Sequence, residues 1–298
     1  MNPTVAWHNG DFVPYDTLSL HVSELAVVAG ASVTEMARTF AHTPFRLAEH
    51  VARLQASCAE LGFPQPWEAA ELVSAATQVV QQNVAHLAES DDLGIVLFAT
   101  AGTNRTYFGE GELPPANVII HTFRLPLEIW KAAATAGVSL VIPPRRQLPQ
   151  DSFPVHRKVR NRLHWWLADR EAAAIRKGSR ALLVDETEHL TETSNACFYG
   201  VFARTIVTPT GSVLDSMSRR IVAEAAGDLG YEFVQRPVAR TEIERMTAAF
   251  VSSTPFGVLP VCAIDDVRLP LTDVVPQLAA CWERLTGRNP REQLLSAS

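Results

Sequence analysis

The sequence predicts an α+β protein in two parts. Three observations carry this. Residues 5–47 read as short strands and turns, the apolar spacing becomes helical from Ala48 to about residue 89, and two further strand patterns lead into Leu125-Pro126-Leu127, the best candidate linker. A chain of 298 residues suits two domains of ordinary size. We place the first at 1–123 and the second at 124–298.

Each element has a local reason. Asn9-Gly10 is a strong turn signal between 5–7 and 12–13, and residues 33–40 and 44–47 suggest two strands around Ala41-His42-Thr43. His50, Val51, Leu54, Cys58 and Leu61 fall at helix spacing, with Gly62 and Pro64 ending the run. Leu72, Val73, Ala76, Val79, Val80 and Val84 mark the buried stripe of a second helix. Strands at 94–100 and 117–123 flank a Gly-rich loop at 101–112. The second part opens with a strand at 138–142, and prolines keep the chain irregular up to residue 156. A helix at 163–177 stops at Gly178. Strands at 181–185, 190–202 and 205–209 follow, then a helix at 217–229. A strand at 233–238, a short helix at 241–245 and strands at 249–253 and 258–264 come next, the last closing the sheet. A helix at 271–285 and a polar tail finish the chain.

Composition narrows the function. Hydrophobic residues make up 47% and charged residues 19%, which is globular, and the net charge of −6 argues against a general nucleic-acid binder. Cys58, Cys197, Cys262 and Cys281 lie far apart, so they read as reduced thiols, without disulfide framework or metal site. The start of the chain lacks a signal-peptide pattern, and no apolar run is long enough for a bilayer. The expected compartment is the cytoplasm.

The chemistry centres on residues 156–164. Lys158 stands there among Arg157, Arg160 and Arg162, beside the apolar run 163–168. Neighbouring cations and desolvation both disfavour an ammonium, and a neutral amine attacks carbonyls. The same run also reads as a solvated basic patch. Glu192, in a mostly apolar strand, either faces solvent or meets a cation. The Met217-Ser218 pair opens a helix whose free amides can cradle phosphate, or Ser218 is only a cap. Hydroxyls at 252–254 suit phosphate oxygens or a polar turn. Arg53, one helical turn after His50, fits an ion pair with a solvent carboxylate.

Taken in order, these pieces resemble the fold-type IV pyridoxal-phosphate enzymes: branched-chain and D-amino-acid aminotransferases and aminodeoxychorismate lyases. Trp7 through Val13 resembles the family's first hairpin. Gly30 through Thr39 resembles its Gly-x-x-x-φ-Glu strand, and Glu49 through Leu54 the motif carrying a phosphate-binding arginine. Thr191 through Ser194, Leu214 through Arg219 and Phe250 through Thr254 resemble its later motifs. The resemblance implies a small N-terminal α/β sandwich domain and a larger C-terminal β-barrel-like domain with flanking helices. It makes Lys158 the cofactor-bearing lysine and proton shuttle, and Glu192 the partner of the pyridine nitrogen. Arg53, Met217, Ser218 and Thr254 become phosphate ligands. Arg105, Thr34, Pro255 and Phe256 fall on the substrate side. The implied activity is a pyridoxal-phosphate-dependent transaminase that exchanges an amino group between a branched-chain-like or D-amino acid and a 2-oxo acid. The implied assembly is a cytoplasmic homodimer without membrane or nucleic-acid partners.

The chain departs from the family pattern at four places. Ser216 replaces the usual glycine, Cys197 a usual asparagine, and Pro255-Phe256 small residues whose amides touch a substrate carboxylate. Thr34 stands where an aromatic residue is common. Proline offers no N–H, so these changes bear on substrate more than on cofactor. Two other readings compete: a lyase releasing pyruvate and 4-aminobenzoate, and a pyridoxal-phosphate-binding protein without turnover.

Overall fold

The computed structural model describes residues 4–297. The chain forms two compact units. One runs through Leu125 and takes in Arg157–Asn161; the other comprises Pro126–His156 and the chain from Arg162 onward. Arg157–Asn161, counted with the second half in the sequence, thus belongs to the first unit. Among the described residues no helix is long and apolar enough to cross a membrane.

In the first unit the strands are β1 (Val5–His8), β2 (Asp11–Pro14), β3 (Ser32–Phe40), β4 (Thr43–Phe45), β5 (Leu93–Thr100) and β6 (Val118–Arg124). They form an antiparallel sheet of order β2-β1-β6-β5-β3-β4. Its helices are α1 (Leu25–Val28), α2 (Leu47–Leu61), α3 (Ala69–Val84) and α4 (Arg105–Phe108). The β1–β2 turn uses Asn9 (φ 47°) and Gly10 (φ 106°), a left-handed pair whose twist suits a hairpin. Ala41 (φ 47°) and His42 (φ 65°) do the same for β3–β4, so Thr43 lies in the strand rather than in the turn. Helix α2 ends on Gly62 (φ 67°), and α3 opens with a box in which Glu71 Oε2 accepts the Glu68 amide at 2.8 Å. Val51, Leu54 and Cys58 of α2 and Leu72, Ala76 and Val79 of α3 share one core with Val33, Ala37, Ile95, Leu97 and Ile120 of the sheet. Each such side chain stabilises by about 1.5–3 kcal/mol on burial. The helix α4 inside the 101–112 loop carries no sequence signal that we read.

The second unit is built on a closed circuit of strands. They are β7 (Val138–Val141), β8 (Arg180–Val184), β9 (Leu190–Thr193), β10 (Cys197–Phe202), β11 (Thr205–Thr208), β12 (Glu232–Gln235), β13 (Ala248–Ser253), β14 (Gly257–Ile264) and β15 (Val267–Arg268). The order β10-β13-β14-β7-β8-β9 returns to β10, which makes a barrel, with β11, β12 and β15 outside the ring. Its helices are α5 (Lys131–Ala136), α6 (Leu163–Ile175), α7 (Met217–Asp228), α8 (Val274–Thr286) and α9 (Pro290–Ser296). Trp165, Ala168 and Ala172 of α6 pack on Val141, Ala181 and Leu183.

Four expectations change here. The strand read at 190–202 is two strands, because Thr193 Oγ1 accepts the Ala196 amide at 3.0 Å and turns the chain at Ser194–Asn195. The barrel closes between β9 and β10, at the pair Cys197–Glu192, rather than at β14. The polar tail holds α9, whose start is capped by Asn289 Oδ1 and favoured by Pro290 at its first position. The run 163–168 is not uniformly buried: Trp165 is 5% exposed but Trp166 is 55% exposed.

Candidate active site

In the first unit, β3 organises the chemistry. The segment around Lys158 lies along the edge of β3 that β4 leaves uncovered. The Thr34 amide donates to the Lys158 carbonyl and the Arg160 amide to the Ser32 carbonyl, both at 2.9 Å, and Val159 bridges Val33. Lys158 itself is half-buried. The flanking arginines do not form one patch. Arg157 Nε donates to Glu60 Oε2 at 2.7 Å in the first unit, while Arg162 donates to the Ser194 carbonyl in the second.

One residue beyond Thr34, Glu35 is fully buried and takes two bonds of 2.6 Å from Arg53 Nε and Nη2. His50 Nδ1 lies 2.8 Å from its Oε2 and donates to it, since an ionised carboxylate only accepts. Burial alone would raise the Glu35 carboxyl. The Arg53 charge and the bonds from His50 and Arg53 outweigh it and hold the group at about 2. His50 moves down from 6.5: burial, with Arg53 and Lys158 nearby, disfavours its cation more than Glu35 favours it. Arg53 therefore meets a buried carboxylate, not a solvent one. His50 and Glu35 fall within motifs that the sequence singled out, yet nothing local pairs them.

In the second unit, the register of the barrel sets a row of polar side chains. Cys197 stands opposite Glu192 on β9 and opposite Ser252 on β13, so all three share one face. Tyr199, two residues along β10, shares it too. Glu192 is buried at 8% exposure, and its Oε1 accepts the Leu214 amide at 3.2 Å. Tyr199 Oη lies 2.8 Å from Ser252 Oγ, Ser252 donates to Ser218 Oγ at 2.9 Å, and Ser218 Oγ is 2.9 Å from Ser216 Oγ. Ser216 is the N-cap of α7, so the chain of hydroxyls ends where the free amides of Met217 and Ser218 begin. A buried carboxylate and a helix start rich in donors, on one barrel face, match the two polar ends of a phosphorylated pyridine. The first suits a protonated ring nitrogen, the second a phosphate. Tyr199, Ser216 and Ser252 had not been selected from sequence; only the strand register brings them together.

The other selected residues are placed as follows. Thr254 is half-buried in the turn after β13, and Pro255 is buried. The Phe256 ring packs on Trp130, with centroids 5.5 Å apart, and both line a cavity of about 310 Å³ with Thr193, Asn195 and Leu259. The Thr34 hydroxyl donates to the Leu97 carbonyl at 3.0 Å within the sheet. Arg105 is exposed, and its Nη1 donates to the Gly109 carbonyl at 3.1 Å, within its own loop.

The family model for amino-transferase class IV matches residues 32–264, which is most of the chain. The chain belongs to that family: it is an aminotransferase of the class that works with pyridoxal phosphate. It is 27% identical over 287 residues to a probable branched-chain-amino-acid aminotransferase of Rickettsia felis, covering 96% of both chains. It is 26% identical over 275 residues to the branched-chain-amino-acid aminotransferase of Escherichia coli K12, covering 88% of this chain and 85% of that one. Among solved structures it resembles a thermophile-type branched-chain amino acid aminotransferase, abbreviated T.th., with pyridoxamine 5'-phosphate. There the TM-score is 0.83 at 27% identity, over 97% of this chain and 96% of that one. The expected fold-type IV architecture, with its barrel-like second part, agrees with this similarity.

Proposed function

We propose that the protein moves an amino group between a branched-chain amino acid and a 2-oxo acid, using pyridoxal phosphate joined to Lys158. The names of its relatives support the substrate class. The single observation behind the cofactor is the barrel face that carries Glu192 and the hydroxyls leading to α7. When bound, the cofactor supplies an electron sink for the substrate α-carbon. Glu192 keeps the ring nitrogen protonated, its own charge steadied by the Leu214 amide. The amides of Met217 and Ser218, with Thr254 and Arg53, hold the phosphate. Lys158 carries a proton to and from the reacting carbon. Phe256 and Pro255 shape the substrate side, where the missing Pro255 N–H removes one carboxylate donor; Thr34 and Arg105 complete our assignment there.

The protein acts as a cytoplasmic homodimer in this reading. Val22, Val27, Val28, Tyr107 and Phe108 are exposed on segments joined by hydrogen bonds from Leu25 to Gly102 and from Asn104 to Ser23, an apolar patch that suits a second copy. The test combines borohydride reduction with a panel of L- and D-amino acids. Reduction of the yellow protein should fix the cofactor on the peptide containing Lys158. A branched-chain amino acid alone should then bleach the cofactor band and yield a stable pyridoxamine form. Pyruvate released without any oxo acid would mean a lyase instead, and a coloured protein inert to every donor would mean binding without turnover.

A further inference from the structure

We propose that Tyr199 is a positioning residue: its phenol sets the direction of the hydroxyl chain Tyr199–Ser252–Ser218–Ser216, so that Ser218 meets an anion at the start of α7 as a donor. The proposal rests on the cofactor assignment above. Tyr199 and Ser252 are 0% exposed and Ser218 is 2% exposed, so water does not compete for these hydroxyls. The Tyr199 ring is held flat on Phe250, with centroids 4.5 Å apart and planes 6° from parallel, which fixes where its Oη lies.

A hydroxyl has one proton to give. Ser252 gives its proton to Ser218, so the 2.8 Å contact to Tyr199 is filled by the phenol's proton. By the same count Ser218 accepts from Ser252, and its own proton is left to point onward, to Ser216 or to an anion beside it. Burial, reinforced by the adjacent Cys197, pushes the phenol further from ionisation, against the opposing pull of Ser252 and Arg219. The phenol is thus a permanent donor. Without it, Ser252 can accept from Ser218 instead. The chain then reverses, and Ser218 turns lone pairs toward the helix start. A phosphate only accepts, so the reversal falls on phosphate and not on the pyridine ring.

The experiment compares pyridoxal phosphate with pyridoxal, which lacks the phosphate, by titrating the bound-cofactor absorbance of the full-length protein. Tyr199→Phe keeps the stacked ring and removes the proton. We expect it to weaken pyridoxal phosphate binding by about tenfold while moving pyridoxal by less than about twofold. Ser252→Ala should do the same, and the double variant should be no worse than either single one. If Tyr199→Phe does not fold, Ser252→Ala carries the comparison. Equal loss for both ligands, or loss for neither, overturns the proposal and leaves the cofactor assignment standing. A wild-type protein that takes up no pyridoxal phosphate overturns the assignment and the proposal with it.

Discussion

Glu35→Gln should be among the most destabilising isosteric changes in the first unit. The substitution keeps the volume and one acceptor but removes the charge facing Arg53, which sits 8% exposed. A carboxyl held at about 2 instead of 4.5 prefers its ionised form in the fold by about 3 kcal/mol, at roughly 1.4 kcal/mol per pKa unit. Breaking a buried pair on one side typically costs about 3–5 kcal/mol, because the remaining charge has no counterpart. For a unit of about 130 residues this means a melting point lower by roughly 10 °C. The assay is urea and thermal unfolding followed by near-UV circular dichroism, to which Trp7 and Trp67 contribute from their edge-to-face contact at 5.1 Å. The decisive measurement is the cycle with Arg53→Gln. If each single variant suffers from an orphaned charge, the double variant should be less destabilised than the sum by about 2 kcal/mol or more. Additivity within about 0.5 kcal/mol would refute the reasoning.

Acid should weaken the protein in two stages. His50, His121 and His164 are all held below 6.5, burial being the first cause in each, with His164 down at about 4. Their folded-state values lie below the unfolded ones, so their contribution is complete above about pH 6.5 and is lost as pH falls below it. Glu35 adds a second loss, from its ordinary 4.5 down through about 2. Denaturation midpoints that stay flat between pH 7.5 and 5 would contradict the histidine stage. Gly257→Ala should cost about 1–3 kcal/mol, because φ is +70° there and the new Cβ would lie 2.9 Å from Pro290 Cγ. Hydrogen exchange should show α9 loosening with it; unchanged α9 protection would mean that the contact is slack. Asn289→Ala, removing the α9 cap, should cost about 0.5–2 kcal/mol, checked by the same exchange experiment.

What the sequence disclosed, it disclosed through local physics. Asn9-Gly10 demands a turn by itself, and the stripes of α2 and α3 are visible because their period is helical. Glu192 stood out because a carboxylate in an apolar strand needs a reason. The features missed depend on pairings across long separations. Closure of the barrel at Cys197–Glu192 follows from where six strands end up, and the hydroxyl chain joins residues 199, 216, 218 and 252. The α9 helix is a different failure. Asn289-Pro290 is a local start signal, but the polar residues after it outweighed the cap.

Arg53 shows why a correct residue can still be read incompletely. From sequence it was either half of an ion pair or a phosphate ligand, as if the two excluded each other. A guanidinium has two edges. Glu35 takes the side edge, Nε and Nη2, at 2.6 Å twice, which fixes the plane and the turn of the group about its own axis. The end edge, Nη1 with the second proton of Nη2, then faces one direction rather than sweeping a cone, so an anion met there pays no ordering cost at the moment of binding. The ion pair is in this sense the precondition of the anion site, and Glu35, which touches no ligand in this assignment, is as necessary to it as Arg53.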